Sequence, residues 1–285
     1  MEVTWKKRLD DLQIGSLSAL FGVEKPVIGM VHLWPLPGSP GYAGYGIDEI
    51  LGHARRDAAV LLEGGADGLI VENMWDLPYY VGTDVEIEAV VAQGVAARKI
   101  KEMAGVPVGV NVIHNGWHAE LSIAIAAGLD FMRVCILTGA RLWDTGDFDG
   151  GCAADLLRRR KALGAEHIKL FADVDKKHSV PFPGIDLETH IEWTEFYRPD
   201  ALIVSGRMTG DAPDVEKVRG AKEAARRPIL MGSGTTAENI GAFLRYADGA
   251  IVGTSLKVDG VMENPVDPAR VRRYVEAVQA VRHTS

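Results

Sequence analysis

Residues 226–260 read "RRPILMGSGTTAENIGAFLRYADGAIVGTSLKVDG". Two short apolar runs each break into glycine and hydroxyl residues, and Lys257 closes the second break. Between them, Thr235-Thr-Ala-Glu238 has the form of a capping box opening a helix over 237–246. "YADGAIVG" has the form of a helix exit passing through glycine into the next strand. A strand, a helix and a strand in that order form a β/α unit, and the rest of the chain can be tested for more of them.

Seven such units are completed outward from this stretch. Buried parallel strands suit "PVIGMVH" from Pro26, "DGLIVE" from Asp67, "PVGVNVI" from Pro107, "DFMRVCIL" from Asp130, "HIKLFAD" from His167, "DALIVSG" from Asp200, "PILMGSG" from Pro228 and "GAIVGTS" from Gly249. Helical patterns follow over 47–63, 84–104, 117–127, 152–163, 187–197, 213–225, 237–246 and 268–281, the last opened by Asp267-Pro268. Eight alternating units point to an α/β fold, a closed (β/α)8 TIM barrel, with an open doubly wound sheet as the alternative. No linker or low-complexity segment divides the chain, so 1–285 is expected to be one domain, with 26–285 as the barrel. Residues 1–25 form an N-terminal helical extension in this reading, its face of Leu9, Leu12, Leu17, Leu20 and Phe21 covering the barrel floor. The longest interruptions, 33–46 and 138–151, fall where lids belong.

Composition narrows the function classes. A 285-residue chain with 47% hydrophobic residues, 25% charged residues and a mean hydropathy of +0.03 suits a folded core. A net charge of −8 argues against a general nucleic-acid or anionic-membrane surface. Cys135 and Cys152 are too few for a disulfide framework, and no apolar run is long enough to span a bilayer, so a cytoplasmic protein is expected, with a homo-oligomer suggested by the exposed helices of a barrel.

In a barrel, the loops after strands seven and eight lie side by side on the C-terminal face, where backbone N–H groups and a helix N-terminus hold phosphate. Gly232, Ser233 and Gly234 occupy the first of these loops, and Gly253, Thr254, Ser255 and Lys257 the second. Glycine allows close backbone approach, the hydroxyls add donors, and Lys257 offsets charge locally. No GxGxxG dinucleotide fingerprint or GxxxxGK(S/T) nucleotide loop is present where it should be.

The other strand ends are polar: His32, Glu72 and Asn73, Asn111 and Asn115, Asp173, then Lys177 and His178, then Ser205, Gly206 and Arg207. Glu72 is the leading acid/base candidate, because a carboxylate in a partly dry pocket has its pKa raised toward working pH. Asp173 and His178 form a second pair, in catalysis or in loop support. Period two puts Lys169, Phe171 and Asp173 on one face, so that a cation would lie below a carboxylate at the mouth; a structural ion pair is the alternative. Arg133 carries the same ambiguity on strand four. His32, Glu72, Asp173 and His178 could converge on a divalent metal, though no metal-site spacing marks them. The aromatic loops "HLWPLPGSPGYAGYG" and "NMWDLPYY" suit either stacking on a planar ligand or packing among themselves.

The ordered series "KPVIGMVHLWPLPGSP", "DGLIVENMWDLPY", "GVNVIHN", "FMRVCILTGA", "ADVDKKHS", "VSGRMTG", "GSGTTAENI" and "DGAIVGTSLKVDG" resembles the BtpA/SgcQ family from about Lys25 to Val281. The resemblance implies a TIM-type barrel. It also implies family-pattern roles for His32, Glu72, Asn73, Asp76, Asn111, Asn115, Arg133, Asp173, Lys177, His178, Gly206, Thr209, Ser233, Asn239, Thr254 and Lys257. The family takes its name from a factor required for stable photosystem I, while other relatives look like enzymes of sugar or nucleoside metabolism. One departure stands out: where the family pattern runs Leu-Arg-Asn-Asp, this chain has Ile113-His114-Asn115-Gly116.

The sequence therefore points to an enzyme acting on a phosphorylated small metabolite, a sugar phosphate or a nucleotide-like compound, by acid/base chemistry at the barrel mouth. Isomerisation, carbon–carbon cleavage and glycosidic-bond cleavage all fit. The competing readings are a non-catalytic assembly factor and an FMN-binding barrel.

Overall fold

The computed structural model describes residues 17–206 and 208–283; Leu9, Leu12 and Arg207, named above, lie outside the described residues. Its strands in chain order are β1 (Val27–His32), β2 (Gly68–Glu72), β3 (Val108–Asn111), β4 (Phe131–Val134), β5 (Ala140–Trp143), β6 (Phe148–Gly150), β7 (Lys169–Asp175), β8 (Ser179–Pro181), β9 (Ala201–Val204), β10 (Ile229–Met231) and β11 (Gly249–Val252). Eight of them close a parallel barrel in the order β1-β11-β10-β9-β7-β4-β3-β2, and the doubly wound alternative is set aside by the pairing of β1 with β11. The helices are α1 (Leu17–Phe21), α2 (Ile47–Glu63), α3 (Ile87–Ala104), α4 (Trp117–Ala127), α5 (Ala153–Ala162), α6 (Leu187–Phe196), α7 (Val215–Ala224), α8 (Ile240–Phe243) and α9 (Pro268–Arg282). None among the described residues is long and apolar enough to cross a membrane.

Strands covered on both faces must be apolar on both, which is why they appear in the sequence as unbroken runs rather than alternations. Ile28, Met30, Ile70, Phe131, Phe171, Ile203, Leu230 and Ile251 point into the barrel, while Val27, Val31, Leu69, Val71, Met132 and Val134 meet the helices. Phe21 of α1 closes the floor: its ring lies 5.7 Å from Phe131 and 6.3 Å from Phe171, which are themselves stacked at 4.7 Å. A side chain at Gly109 would meet the Phe131 ring at 2.3 Å, so the plug needs that glycine.

Four aspartates tie the floor together. Just before its own strand, each accepts a backbone N–H from the start of a neighbour: Asp67 from Val27 at 2.8 Å, Asp130 from Val108 at 2.7 Å, Asp200 from Leu170 at 2.9 Å and Asp248 from Ile229 at 2.8 Å. A cation joins each one, Arg282, Lys101, Lys169 and Lys222 respectively.

Two expectations are corrected. The helix read over 237–246 shrinks to the four residues of α8, and no capping box forms. Thr235 turns its hydroxyl to Tyr274 at 2.8 Å, and Asn239 Oδ1 takes the Thr236 N–H at 2.7 Å, so local side-chain bonding holds the segment in turns instead. The interruption at 138–151 is a β5–β6 hairpin that β8 joins as an antiparallel sheet. By contrast, Asp267 does cap α9, accepting from Ala269 N at 2.8 Å.

Candidate active site at the barrel mouth

The last residues of the first three strands are neighbours in register: His32 opposite Glu72, and Glu72 opposite Asn111. Their side chains meet accordingly. His32 Nε2 lies 3.5 Å from Glu72 Oε1, and Asn111 Nδ2 donates to Glu72 Oε2. Burial alone would raise the Glu72 carboxyl, but the attraction of His32, Lys177, Arg133 and Lys176 outweighs it and holds the group below the usual carboxylate range. Glu72 is thus an ionised base, which corrects the expectation of a raised pKa. Burial pushes His32 down to about 4 despite Glu72, so its imidazole is neutral near pH 7.

Deeper in the mouth, Arg133 reaches from β4 to Asp173 on β7 with two bonds, Nε to Oδ2 at 2.9 Å and Nη2 to Oδ1 at 2.8 Å. Lys176 Nζ adds a third contact to Asp173 at 3.5 Å. Burial opposes the charge on Asp173, yet these cations hold its carboxyl below the usual range. Asp173 is therefore committed to a buried ion-pair network rather than free for proton transfer.

Beside Glu72 the mouth opens into a cavity of about 260 Å³ lined by both glycine–hydroxyl loops, together with His32, Arg133, Lys177 and Arg270. The loops after β10 and β11 thus stand side by side, as the barrel order requires. Ser233 lines this cavity: its Oγ is buried without a hydrogen-bond partner, and among the described residues none accepts from the backbone N–H of Ser233 or Gly234. Buried donors without a partner are costly. Arg270, in the first turn of α9, supplies the nearby cation and donates to Ser255 O at 3.3 Å.

Several details of these two loops differ from expectation. With only four residues, α8 contributes no helix dipole worth the name. The glycines mainly make room for the protein itself: a side chain at Gly232 would strike Ser205 Oγ at 2.3 Å, one at Gly253 the His32 ring at 2.9 Å, and one at Gly206 or Gly234 the Asp211 carbonyl at 2.1 Å. Ser255 Oγ is engaged by the Thr235 carbonyl at 2.7 Å, while Thr254 lines the cavity. Lys257 turns away and is buried against Asp57, so it does not line this cavity.

Other candidates lie elsewhere. Lys169 sits at the floor, 3.2 Å from Asp200 and separated from the mouth by the Phe131–Phe171 layer, so it does not underlie Asp173. His178 bonds to Asp144 at 2.8 Å and Thr209 at 2.9 Å, lining a different cleft beneath the hairpin. Asn73 holds Asp76 and the Ile113 N–H, and Asn115 holds Asp149 and the Ile136 N–H, so both fix loops. Ser205 Oγ is buried under Gly232 without a partner. His114, the departure from the family pattern, stacks on Trp143 at 3.9 Å and is not part of the cavity wall. In the aromatic loops, Trp34 packs on His53 at 4.7 Å and Tyr45 at 5.2 Å. His32 and Glu72 are not joined by Asp173 or His178 in a metal-binding set, and no group of three or more potential ligands occurs among the described residues.

Sequence reasoning missed Arg270, Thr235, Thr236 and Lys176. Arg270 was findable, because Asp267-Pro268 fixes the start of α9 and its first turn then faces the eighth strand end.

The BtpA family profile matches residues 23–280. An uncharacterised protein of Thermococcus kodakarensis is 42% identical over 92% of this chain and 98% of its own length. The photosystem I biogenesis protein BtpA of Synechocystis is 37% identical over 90% of this chain and 89% of its own. Among solved structures, the thiamine phosphate pyrophosphorylase of Pyrococcus furiosus superposes with a TM-score of 0.55 at 13% identity, over 90% of this chain and 96% of that one. The 3-hexulose-6-phosphate synthase of Salmonella typhimurium gives 0.55 at 16%, over 90% and 99%. At those identities the structures speak for the barrel fold; on the profile and the sequence relatives together, the chain belongs to the BtpA family.

Proposed function

We propose that the protein is an enzyme that binds a phosphorylated small metabolite at the barrel mouth and acts on it by proton transfer through Glu72. One observation carries this reading: Ser233, whose buried hydroxyl has no hydrogen-bond partner, lines the same cavity as the ionised Glu72 carboxylate. An anion held by the Ser233 and Gly234 N–H groups, the Ser233 hydroxyl and Arg270 leaves the rest of a small molecule lying toward Glu72, His32 and Lys177. Ionised Glu72 removes a proton, Asn111 and neutral His32 hold it in place, and the cations Arg133, Lys176 and Lys177, against the single charge of Asp173, favour its ionised form. The phosphorylated compounds in the names of the structural neighbours are consistent with this chemistry.

Thermal unfolding with matched ligand pairs tests the reading. Ribose 5-phosphate, dihydroxyacetone phosphate, AMP and FMN should raise the melting temperature where their unphosphorylated counterparts do not. Failure of every phosphorylated compound at millimolar concentration would favour the second reading, a non-catalytic assembly factor, which the name of the Synechocystis relative suggests.

A further inference from the structure

The lysines of this molecule are mostly paired. Lys101, Lys169, Lys217, Lys222 and Lys257 each meet an aspartate, and Lys176 meets Asp173. Lys177, the next residue along, makes no hydrogen bond or ion pair with any described residue, although it is only partly exposed and its side chain lines the cavity with Glu72. A cation desolvated and left without a partner is costly, and such an arrangement persists where the amine itself has a task. Glu72 is the anion that acts on it most strongly, yet the two do not pair, and both line the same cavity, where a ligand can meet amine and carboxylate together.

We propose that Lys177 is a nucleophile that condenses with the carbonyl carbon of a phosphorylated aldehyde or ketone, forming an iminium beside Glu72. The inference rests on the anion site of the proposed function and adds the substrate class. In the step, the nitrogen lone pair attacks the carbonyl carbon to give a carbinolamine. The carbinolamine then expels its oxygen as water: Lys177 ammonium plus carbonyl becomes protonated imine plus one water, and the positive charge stays on nitrogen. Glu72 takes the ammonium proton that frees the lone pair and passes it to the oxygen, then carries a second proton from nitrogen of the carbinolamine to the same oxygen, which departs as water. It then takes a proton from the carbon next to the imine, whose electron pair flows into nitrogen as an enamine.

The electrostatics suit this role. Burial pushes the Lys177 ammonium down to about 8 from 10.5, against the pull of Glu72 and Asp173 and helped by Arg133 and Lys176. At pH 8 this gives about a hundredfold more free amine than an ordinary lysine has. The charged and titratable groups around it are His32 from β1, Glu72 from β2, His114 from the loop after β3, Arg133 from β4, Asp173 and Lys176 from β7 and its end, and Arg270 from α9.

The full-length protein is incubated with glycolaldehyde phosphate, dihydroxyacetone phosphate or ribulose 5-phosphate, treated with borohydride and mapped by peptide mass. A reduced adduct on Lys177 from at least one compound is expected, at least tenfold above exposed lysines such as Lys161. Its yield should rise between pH 7 and 9 with a midpoint near 8. Lys177→Arg and Lys177→Met should both lose the adduct while still being stabilised by glycerol 3-phosphate, which has no carbonyl. No adduct from any of the three compounds, in protein that glycerol 3-phosphate stabilises, would overturn the nucleophile and leave the anion site standing. An adduct without any stabilisation by glycerol 3-phosphate would uphold the reactive amine and remove the anion site instead.

Discussion

Lys257 and Asp57 form an ion pair buried on both sides, across 200 residues of chain, and the second Asp57 oxygen accepts the Val266 N–H at 3.0 Å. The pair clamps the loop after β11 to α2 and leaves no charge for a ligand. Lys257→Met should therefore lower unfolding stability by about 3–5 kcal/mol, the usual cost of stranding a buried partner. Phosphate affinity should stay the same. Denaturant unfolding and a phosphate titration check both halves; a weakened titration with intact stability would return Lys257 to the anion site.

Ser233 offers the opposite signature. Its hydroxyl is buried and unpartnered, so Ser233→Ala removes an unmet desolvation cost from the ligand-free protein and should leave the melting temperature equal or higher. Binding of a phosphorylated ligand loses one bond to a charged group, about 1.5–3 kcal/mol, which is about ten- to a hundredfold in affinity. Isothermal titration together with thermal unfolding reads both. Equal affinity in the variant would mean that the hydroxyl does not face the anion.

Much of this was legible before folding was considered. The eight strands could be read because a barrel strand is buried on both faces and its apolar run ends abruptly at the mouth, so His32, Glu72 and Asn111 stand out as the first polar residue of their strands. The pairings were not legible. Lys169 and Asp173 share a strand face, but the floor and mouth lie at opposite ends of that strand, and Asp200 at the floor claims Lys169. Lys257 looked free because Asp57 is 200 residues away and sits among helical residues. The β5–β6 hairpin escaped because short, half-polar strands such as "FDG" carry no apolar period. Glu72 stands out as a carboxylate, but the sign of its pKa shift depends on His32, Lys177 and Arg133, whose convergence only the barrel's closure brings about.

Replacing Glu72 with Gln keeps the Asn111 contact through the remaining amide oxygen and removes the base. Exchange of the carbon-bound hydrogens of dihydroxyacetone phosphate with deuterated water, followed by NMR, should slow by about 10²–10⁴-fold, the range typical of losing a general base. Ligand-induced stabilisation should persist, since in the proposed pose the anion is held by Ser233, Gly234 and Arg270 rather than by Glu72. An unchanged exchange rate would move the base to another residue of the mouth.

The His114 imidazole gives the protein an acid sensitivity with a definite sign. It lies on the Trp143 ring at 3.9 Å, and burial, with the repulsion of Lys176, His178 and Lys177, pushes it down to about 3 from 6.5. Below pH 6.5 the unfolded chain takes up a proton that the folded chain refuses, so stability present above that value is lost as the pH falls toward 3. His32, pushed down to about 4, acts in the same direction. Asp76, which burial pushes up to about 6 from 3.8, opposes both over that narrower window, because its folded form holds its proton longer than the unfolded chain does. His114→Phe keeps a flat ring against Trp143 and removes the titration. Between pH 6.5 and 4, the melting temperature of the wild-type protein should fall more steeply than that of the variant. Parallel curves would mean that His114 is not held neutral against Trp143.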